Sequence, residues 1–248
     1  MAARITLCFL WSAPWLIPTV VGALLLLPFR GLRVRLGNAV AKAIGYPVMF
    51  LLGIRPRVHN AQGLRAQRAI FVANHTSTLD LILASALCPF GGSGTAKKEI
   101  LRVPVIGQAW WLTGHLLVDR GDSEKGRAAM RDMASAASKN RLSVWMFPEG
   151  TRSMDGRPAP FKRGCVHIAC ATGLPVVPVV IRGAAERWPP RTFRLSAGPV
   201  DVEVGDPIDT SDWTPETAGI HADTVHRMMV ARLDGRADTT GPNDAVEA

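Results

Sequence analysis

The sequence predicts an α/β domain that follows an apolar N-terminal segment. The chain has 248 residues, 48% of them hydrophobic, so it can bury one core of ordinary size. After residue 54, short apolar runs alternate with helical patterns, which is typical of an α/β domain. Residues 5–29 carry no charged side chain, and about 20 apolar residues suffice for a transmembrane helix.

The N-terminal segment predicts a membrane anchor over residues 1–54. One cation precedes the apolar run and a cluster of cations follows it, an asymmetry that places the following domain on the cytoplasmic side of the membrane. These cations are Arg4, Arg30, Arg33, Arg35 and Lys42. Pro14 and Pro18 can break the run into a shallow re-entrant anchor, with residues 44–54 as its return arm. Spanning and single-leaflet anchors both stay open. A cleaved signal peptide is less favoured, because the run is long and no small-x-small cleavage site precedes the cations.

The remainder predicts a catalytic domain over residues 55–234 and a flexible polar tail over residues 235–248. Buried strands are expected at residues 69–73, 116–119, 143–147 and 176–181, and outer or antiparallel strands at 192–197 and 200–204. Helices are expected at residues 79–87, 124–140, 165–172 and 215–233, with Ser123 as the N-cap of the second.

The formal charge of +9 requires an anionic partner. Nucleic acid is disfavoured, because the cations are scattered and aromatic residues make up only 6% of the chain. An anionic lipid surface fits the apolar N-terminus better. The four cysteines show neither metal-ligand spacing nor a disulfide framework, which indicates a reduced, cytosol-facing protein.

The first candidate site is the stretch from Asn74 to Asp80, where a predicted strand gives way to a helix. Ligands of α/β folds bind at such strand ends. Asp80 in the first helical turn can accept a hydrogen bond from one nitrogen of His75, leaving the other nitrogen to take a proton. For an isolated pair, a structural histidine and a capping carboxylate would be the commoner explanation.

Two further strand ends carry polar pairs. Residues 147–153 read Phe-Pro-Glu-Gly-Thr-Arg-Ser. Arg152 can hold a phosphate in bidentate fashion, and Glu149 can orient this arginine or bind a substrate hydroxyl. Residues 114–120 end in Asp119 and Arg120, and Lys98 lies upstream. For residues 147–153, a turn with a surface ion pair is the ordinary alternative.

Together these motifs resemble the bacterial 1-acyl-sn-glycerol-3-phosphate acyltransferases of the glycerolipid acyltransferase family. The H-x-x-x-x-D motif matches His75 and Asp80, and the arginine-bearing second motif matches Gly114 and residues 117–120. The third motif, F-P-E-G-T-R-S, matches residues 147–153 in full, and a proline-bearing fourth motif matches residues 176–179. The resemblance covers roughly residues 70–183. One departure is the Thr-Ser-Thr-Leu between His75 and Asp80, which leaves fine substrate preference open.

The resemblance implies a central mixed, largely parallel sheet flanked by helices. It also implies transfer of an acyl group from acyl-CoA or acyl carrier protein to the sn-2 hydroxyl of 1-acyl-sn-glycerol-3-phosphate, giving phosphatidic acid. His75 and Asp80 would be catalytic. Substrate binding would fall to the strand-end residues Lys98, Arg120, Glu149, Gly150, Thr151 and Arg152. No metal or cofactor is implied, and the expected partners are the lysophospholipid acceptor, the acyl donor and the bilayer.

Three alternatives stay open. The same fold can serve another acceptor, such as a lyso-ornithine lipid or glycerol 3-phosphate. The chain can instead be a non-catalytic basic protein that binds membrane surfaces. Ser77 can act as a covalent nucleophile, although no G-x-S-x-G motif surrounds it.

Overall fold

The computed structural model describes residues 2–103, 105–118, 123–153 and 156–235. The strands are β1 (Ile54–His59), β2 (Ile70–Ala73), β3 (Gly92–Lys97), β4 (Leu116–Val118), β5 (Ser143–Met146), β6 (Val176–Arg182) and β7 (Gly198–Val204). The α-helices are α1 (Ala2–Ser12), α2 (Leu16–Leu25), α3 (Arg30–Leu52), α4 (Gly63–Ala66), α5 (Leu79–Leu87), α6 (Ile106–Leu112), α7 (Ser123–Lys139), α8 (Gly164–Thr172), α9 (Ala184–Arg187) and α10 (Ala218–Leu233). The described residues also form the 3₁₀ helices η1 (Ala13–Trp15) and η2 (Lys98–Arg102).

The strands form one seven-stranded sheet in the order β1-β7-β6-β2-β5-β3-β4. Neighbouring strands run parallel except at β6 and β7, which pair antiparallel. The predicted mixed, largely parallel sheet with flanking helices is therefore confirmed. Because helices cover both faces, the central strands are buried on both sides and read as continuous apolar runs. Alternate residues of β2 face opposite ways: Ile70 and Val72 join one hydrophobic cluster, and Phe71 and Ala73 join the other.

The predicted strands at β2, β4, β5, β6 and β7 are confirmed, as are the helices at α5, α7, α8 and α10. Ser123 is the first residue of α7, and the position before it lies outside the described residues. The strand predicted at residues 192–197 is wrong, because this stretch forms a loop. Its polar groups bond within the loop: the indole Nε1 of Trp188 donates to Thr192 O at 2.8 Å, and Ser196 N donates to Arg187 O at 2.8 Å.

The apolar N-terminus forms a helical run from Ala3 to Leu25, long and apolar enough to cross a membrane. Pro14 is accommodated in the 3₁₀ turn η1 rather than in a break of the chain. The run packs along α3, where Trp11 Nε1 donates to Ala43 O at 2.9 Å, and α2 also contacts α6. Its outer face leaves large apolar side chains open to solvent, including Phe9, Ile17 and Leu25. The segment thus lies against the domain with one apolar face uncovered.

Helix α3 is built into the domain. Val48, Met49 and Leu52 belong to the hydrophobic cluster on one face of the sheet. Asn38 is 2% exposed; its amide donates to Gly92 O at 3.0 Å, and its Oδ1 accepts from Gly91 N at 2.9 Å. Residues 44–54 are the expected return arm of an anchor, and in this stretch Val48, Met49, Leu52 and Ile54 pack on the core, whereas Phe50 is 81% exposed.

Several cations that follow the apolar run bind carbonyl oxygens. Arg30 Nε donates to Gly114 O at 3.0 Å and Arg33 Nη1 to Leu112 O at 2.8 Å, which satisfies carbonyls at the end of α6. Lys42 Nζ donates to two carbonyls at the end of α5, Ala86 O at 2.7 Å and Cys88 O at 2.6 Å. Arg35 is exposed. The charge cluster therefore has a structural use besides any attraction to lipid.

Candidate active site

The candidate site lies at the carboxyl edge of the parallel strands. β2 and β5 are neighbours and run parallel, so the loops after Ala73 and Met146 leave the sheet side by side. The two predicted motifs meet there: Ser153 N donates to His75 O at 2.9 Å. Asn74 extends the β2–β6 pairing, because its side chain accepts from Ile181 N at 2.7 Å and donates to Ile181 O at 2.9 Å. His75 therefore emerges from a rigid strand end.

The structure brings His75 and Asp80 into direct contact. The distance from His75 Nδ1 to Asp80 Oδ2 is 3.0 Å. Asp80 is fully buried, whereas His75 is 9% exposed. The same Oδ2 accepts from the backbone of Thr76 and of Ser77, each at 2.7 Å. This carboxylate therefore closes the loop into α5 and also fixes the imidazole.

The imidazole is held from a second side by Phe147. The ring centroids are 4.3 Å apart and the planes meet at 20°, which is a stacked arrangement. With Nδ1 on Asp80 and one ring face on Phe147, the orientation of Nε2 is fixed. The sequence pattern marks residues 147–153 by their charged side chains, and it does not reveal the ring contact of Phe147.

Glu149 binds backbone amides instead of facing solvent. Its Oε1 accepts from His75 N at 2.7 Å and its Oε2 accepts from Ala159 N at 3.1 Å. The residue is only 3% exposed. This carboxylate therefore ties the histidine loop to the loop after β5. Gly150 next to it has φ +77°, a left-handed conformation that glycine adopts without strain.

Arg152 reaches the histidine loop through Thr78. Its Nη1 donates to Thr78 Oγ1 at 2.7 Å, and the arginine is half-buried. Thr151 beside it is exposed. The guanidinium thus lies beside the start of α5, because Thr78 is two residues before Asp80 in the sequence.

The remaining predicted cations lie farther along the same edge. Lys98 is exposed and begins η2, directly after β3. β4 runs parallel to β3, so its carboxyl end faces the same edge of the sheet. Asp119 and Arg120, which follow β4, lie outside the described residues. Within the described residues, no group of three or more His, Cys, Asp or Glu side chains is placed to hold a metal ion.

The hydroxyl of Ser77 and the thiols of Cys88 and Cys165 are poorly suited to attack an acyl donor. Ser77 is fully buried, and its hydroxyl donates to Trp188 O at 2.6 Å while accepting from Leu79 N at 3.0 Å. Burial raises the pKa of the Cys165 thiol to about 12, and burial likewise raises the pKa of Cys88 to about 12. These groups stay protonated near neutral pH, so none of these three side chains, which the structure describes, is activated as a nucleophile.

A family model described as Acyltransferase matches residues 55–182, about half of the chain, and spans both loops of the site. The chain belongs to the acyltransferase family. A 1-acyl-sn-glycerol-3-phosphate acyltransferase from Limnanthes douglasii is 37% identical over 209 residues, covering 84% of this chain and 74% of that protein. The enzyme of that name from Escherichia coli K12 is 36% identical over 169 residues, covering 67% of this chain and 68% of its own length.

The acyltransferase also matches more distant relatives. The human 1-acyl-sn-glycerol-3-phosphate acyltransferase alpha is 30% identical over 232 residues, covering 93% of this chain and 82% of the human protein. The crystal structure of the 1-acyl-sn-glycerophosphate (LPA) acyltransferase from Thermotoga maritima has a TM-score of 0.65 at 22% identity, covering 92% of this chain and 99% of that one. This acyltransferase is therefore an enzyme whose fold a solved relative shares.

Proposed function

We propose that this chain moves a fatty acyl group from a thioester to the sn-2 hydroxyl of 1-acyl-sn-glycerol-3-phosphate and so makes phosphatidic acid. The observation that carries the proposal is the 3.0 Å contact between His75 Nδ1 and Asp80 Oδ2, beside a half-buried arginine. The names of the curated relatives support the acceptor. The donor is a thioester on CoA or on acyl carrier protein.

In the proposed reaction His75 acts as the general base. With Nδ1 bound to Asp80, Nε2 takes the proton of the substrate hydroxyl as its oxygen attacks the thioester carbonyl. The carbon–sulfur bond then breaks, and the leaving thiolate takes the proton back from the imidazolium. Asp80 stabilises the imidazolium between the two steps. General base catalysis of this kind contributes about a hundredfold to ten-thousandfold.

We assign different tasks to the two charged residues of the second loop. Arg152, half-buried beside Thr78, binds the glycerol phosphate, together with Lys98 and Arg120. Glu149 serves a positioning role, because its oxygens already accept from the backbone amides of His75 and Ala159. This modifies the substrate-binding role expected for Glu149 from its motif.

We further propose that the enzyme is bound to the cytoplasmic face of the inner membrane by a single-leaflet anchor. The helical run of residues 3–25 packs along α3 and contacts α6, so it lies beside the domain rather than projecting from it. Its uncovered apolar face fits one leaflet of a bilayer. Both the lysolipid and the product reside in that leaflet. The proposal includes an anchor over residues 1–54, a catalytic domain over residues 55–234 and a polar tail over residues 235–248.

Purified protein should be given lysophosphatidic acid, lyso-ornithine lipid and glycerol 3-phosphate, each with matched acyl-CoA and acyl-carrier-protein donors. We expect labelled phosphatidic acid as the main product, and Arg152→Gln should raise the KM for lysophosphatidic acid far more than it lowers kcat. Faster turnover of lyso-ornithine lipid would reassign the acceptor. Absence of product with every pair, from protein that still binds vesicles, would favour the non-catalytic surface binder.

A further inference from the structure

The loop between α9 and β7 carries an exposed phenylalanine between two exposed arginines. Its outermost part, residues 189–194, reads Pro-Pro-Arg-Thr-Phe-Arg and is called the tip below. Phe193 is 89% exposed, the highest value among the large apolar side chains that the structure describes. Arg191 and Arg194 are exposed on either side of it. An isolated exposed aromatic ring is ordinary, but a ring set between cations on a fixed loop calls for an explanation.

The tip is held in place by its own hydrogen bonds. The indole of Trp188 donates to Thr192 O at 2.8 Å, and the hydroxyl of Thr192 donates to Pro189 O at 2.9 Å. At the base of the loop, Ser196 N donates to Arg187 O at 2.8 Å. Phe193 is therefore presented by an ordered turn, so little conformational entropy would be lost when a partner covers it.

The loop connects to both the catalytic loop and the apolar N-terminus. Its Trp188 carbonyl accepts from the hydroxyl of Ser77, two residues from His75. Trp188 and Leu195 pack on the same hydrophobic cluster as Cys8 of α1. The side chains of Arg4 and Ala197 also both lie close to Gly53, so the start of α1 is beside the end of this loop.

We propose that the tip is a second membrane contact, which inserts Phe193 at the bilayer interface and binds anionic lipid headgroups with Arg191 and Arg194. Aromatic rings settle at the membrane interface, and basic side chains beside them bind anionic lipid. The nearest acidic residue in the segment is Glu186, before the base of the loop, so the tip itself carries only positive charge. The contact would hold the mouth of the site beside the leaflet that contains its substrate. It rests on the membrane association proposed above.

The test measures how well a dye at the tip is shielded from water. Single-cysteine variants Phe193→Cys, Leu25→Cys and Ile220→Cys are made in a Cys8→Ala, Cys170→Ala chain, because Cys88 and Cys165 are buried with pKa values raised to about 12 and do not label. Leu25 lies on the uncovered face of α2, and Ile220 is exposed on α10, which packs on the opposite face of the sheet. Quenching by aqueous acrylamide is compared in vesicles of phosphatidylcholine with and without phosphatidylglycerol.

We expect the dye at position 193 to be quenched severalfold less than the dye at position 220, and only when phosphatidylglycerol is present. Arg191→Gln and Arg194→Gln should each weaken the partitioning of the tip into the anionic bilayer by about fivefold. The protection of the dye at position 193 should fall accordingly. The same two changes at Arg55 and Arg57, exposed on β1, should leave it unchanged. Since no turnover is measured, the outcome is independent of the acyltransferase reaction.

Equal quenching at positions 193 and 220, with position 25 protected, would overturn the proposal while leaving the anchor in place. Equal quenching at all three positions would overturn both membrane contacts. Protection of position 193 that does not depend on phosphatidylglycerol would refute the recognition of anionic headgroups.

Discussion

At the residue scale, one oxygen of Asp80 carries the geometry of the site. Its Oδ2 meets the imidazole of His75 and the backbone amides of Thr76 and Ser77. The other oxygen, Oδ1, is buried with no hydrogen-bond partner among the residues that the structure describes. A single buried carboxylate thus shapes the loop and orients the ring of His75, and in the proposed mechanism it supplies the charge that an imidazolium requires.

Replacement of Asp80 by asparagine separates these tasks. The amide oxygen can still accept from the loop amides, so we expect the fold and the melting temperature to change little. The charge that stabilises the imidazolium is lost, and kcat should fall about a hundredfold or more. Ser77→Ala is the matched control in the same loop and should keep kcat within a few fold. An Asp80→Asn enzyme with the wild-type kcat would refute the role of the carboxylate.

Glu149 offers a test of positioning against substrate binding. If its carboxylate positions the loop through His75 N and Ala159 N, Glu149→Gln should lower kcat with little change in the KM for lysophosphatidic acid. A raised KM at unchanged kcat would indicate contact with the substrate instead. Arg152→Gln, measured in parallel, provides the pattern expected of a residue that binds the phosphate.

At the element scale, the strands that sequence predicts best are those buried on both faces. β2 is wholly apolar, and β5 and β6 are apolar except for Ser143 and Arg182 at their ends, because central strands contact helices on both sides. Helix α5 was predicted to the residue for a similar reason, since its apolar run is bounded by the polar histidine loop. The site residues could be placed at strand ends from these elements alone.

Two strands could not be predicted, for reasons visible in their packing. β3 begins Gly-Ser-Gly and has no apolar run, because Trp110 packs onto Gly94, where a Cβ would lie 2.8 Å from the ring. β1 reads Ile-Arg-Pro-Arg-Val-His and is an edge strand, where proline and arginine are tolerated. The sequence likewise does not reveal the hydrogen bond that His75 N donates to Glu149 Oε1, because this bond depends on the pairing of β2 with β5.

His115 links the helical layer to the edge of the sheet. Its Nδ1 accepts from Gly94 N at 3.1 Å, and its ring packs against Trp110 with centroids 4.7 Å apart. Burial, and secondarily the charge of Arg30, lower the pKa of His115 to about 4. The unfolded chain has the ordinary histidine pKa near 6.5, so between these values the unfolded state binds more protons.

Stability should therefore be full above about pH 6.5 and fall as the pH is lowered toward 4, by on the order of 3 kcal/mol from this residue. This loss is measured as the difference in the free energy of unfolding by denaturant between about pH 7 and about pH 4.5, for wild type and for His115→Asn. Asparagine keeps an acceptor for Gly94 N and does not titrate, so its stability should depend less on pH. An identical pH dependence in the two proteins would contradict the lowered pKa of His115.

At the scale of the whole molecule, the N-terminal helices are part of the domain and also leave an apolar face uncovered. The sequence identified their length and hydrophobicity, but it could not show that Arg30, Arg33 and Lys42 bind carbonyls at the ends of α6 and α5. The rule that places cations on the cytoplasmic side counts charges without regard to such contacts. Three of the cations that predict a cytoplasmic orientation are therefore engaged in contacts within the protein, and fewer remain to interact with lipid.

Negative charges introduced on the uncovered apolar face test whether that face binds the membrane. Ile17→Asp with Leu25→Asp alters two positions that are 73% and 77% exposed, so the fold should be little affected. We expect the protein to leave sedimented membranes for the supernatant at high salt, while it still acts on detergent-dispersed lysophosphatidic acid. Ile220→Asp, on the other face of the sheet, should stay with the membranes. If the double variant also sediments, α2 does not face the bilayer.

The base role of His75 is tested most directly by comparing acyl transfer in wild type and His75→Ala, with lysophosphatidic acid binding measured on the same samples. The ring contacts Asp80 and Phe147 but is not part of the core, so the variant should fold and bind the acceptor. We predict that kcat falls by at least about a hundredfold while the dissociation constant for lysophosphatidic acid stays within a few fold. A His75→Ala enzyme that transfers acyl groups at the wild-type rate would contradict the account.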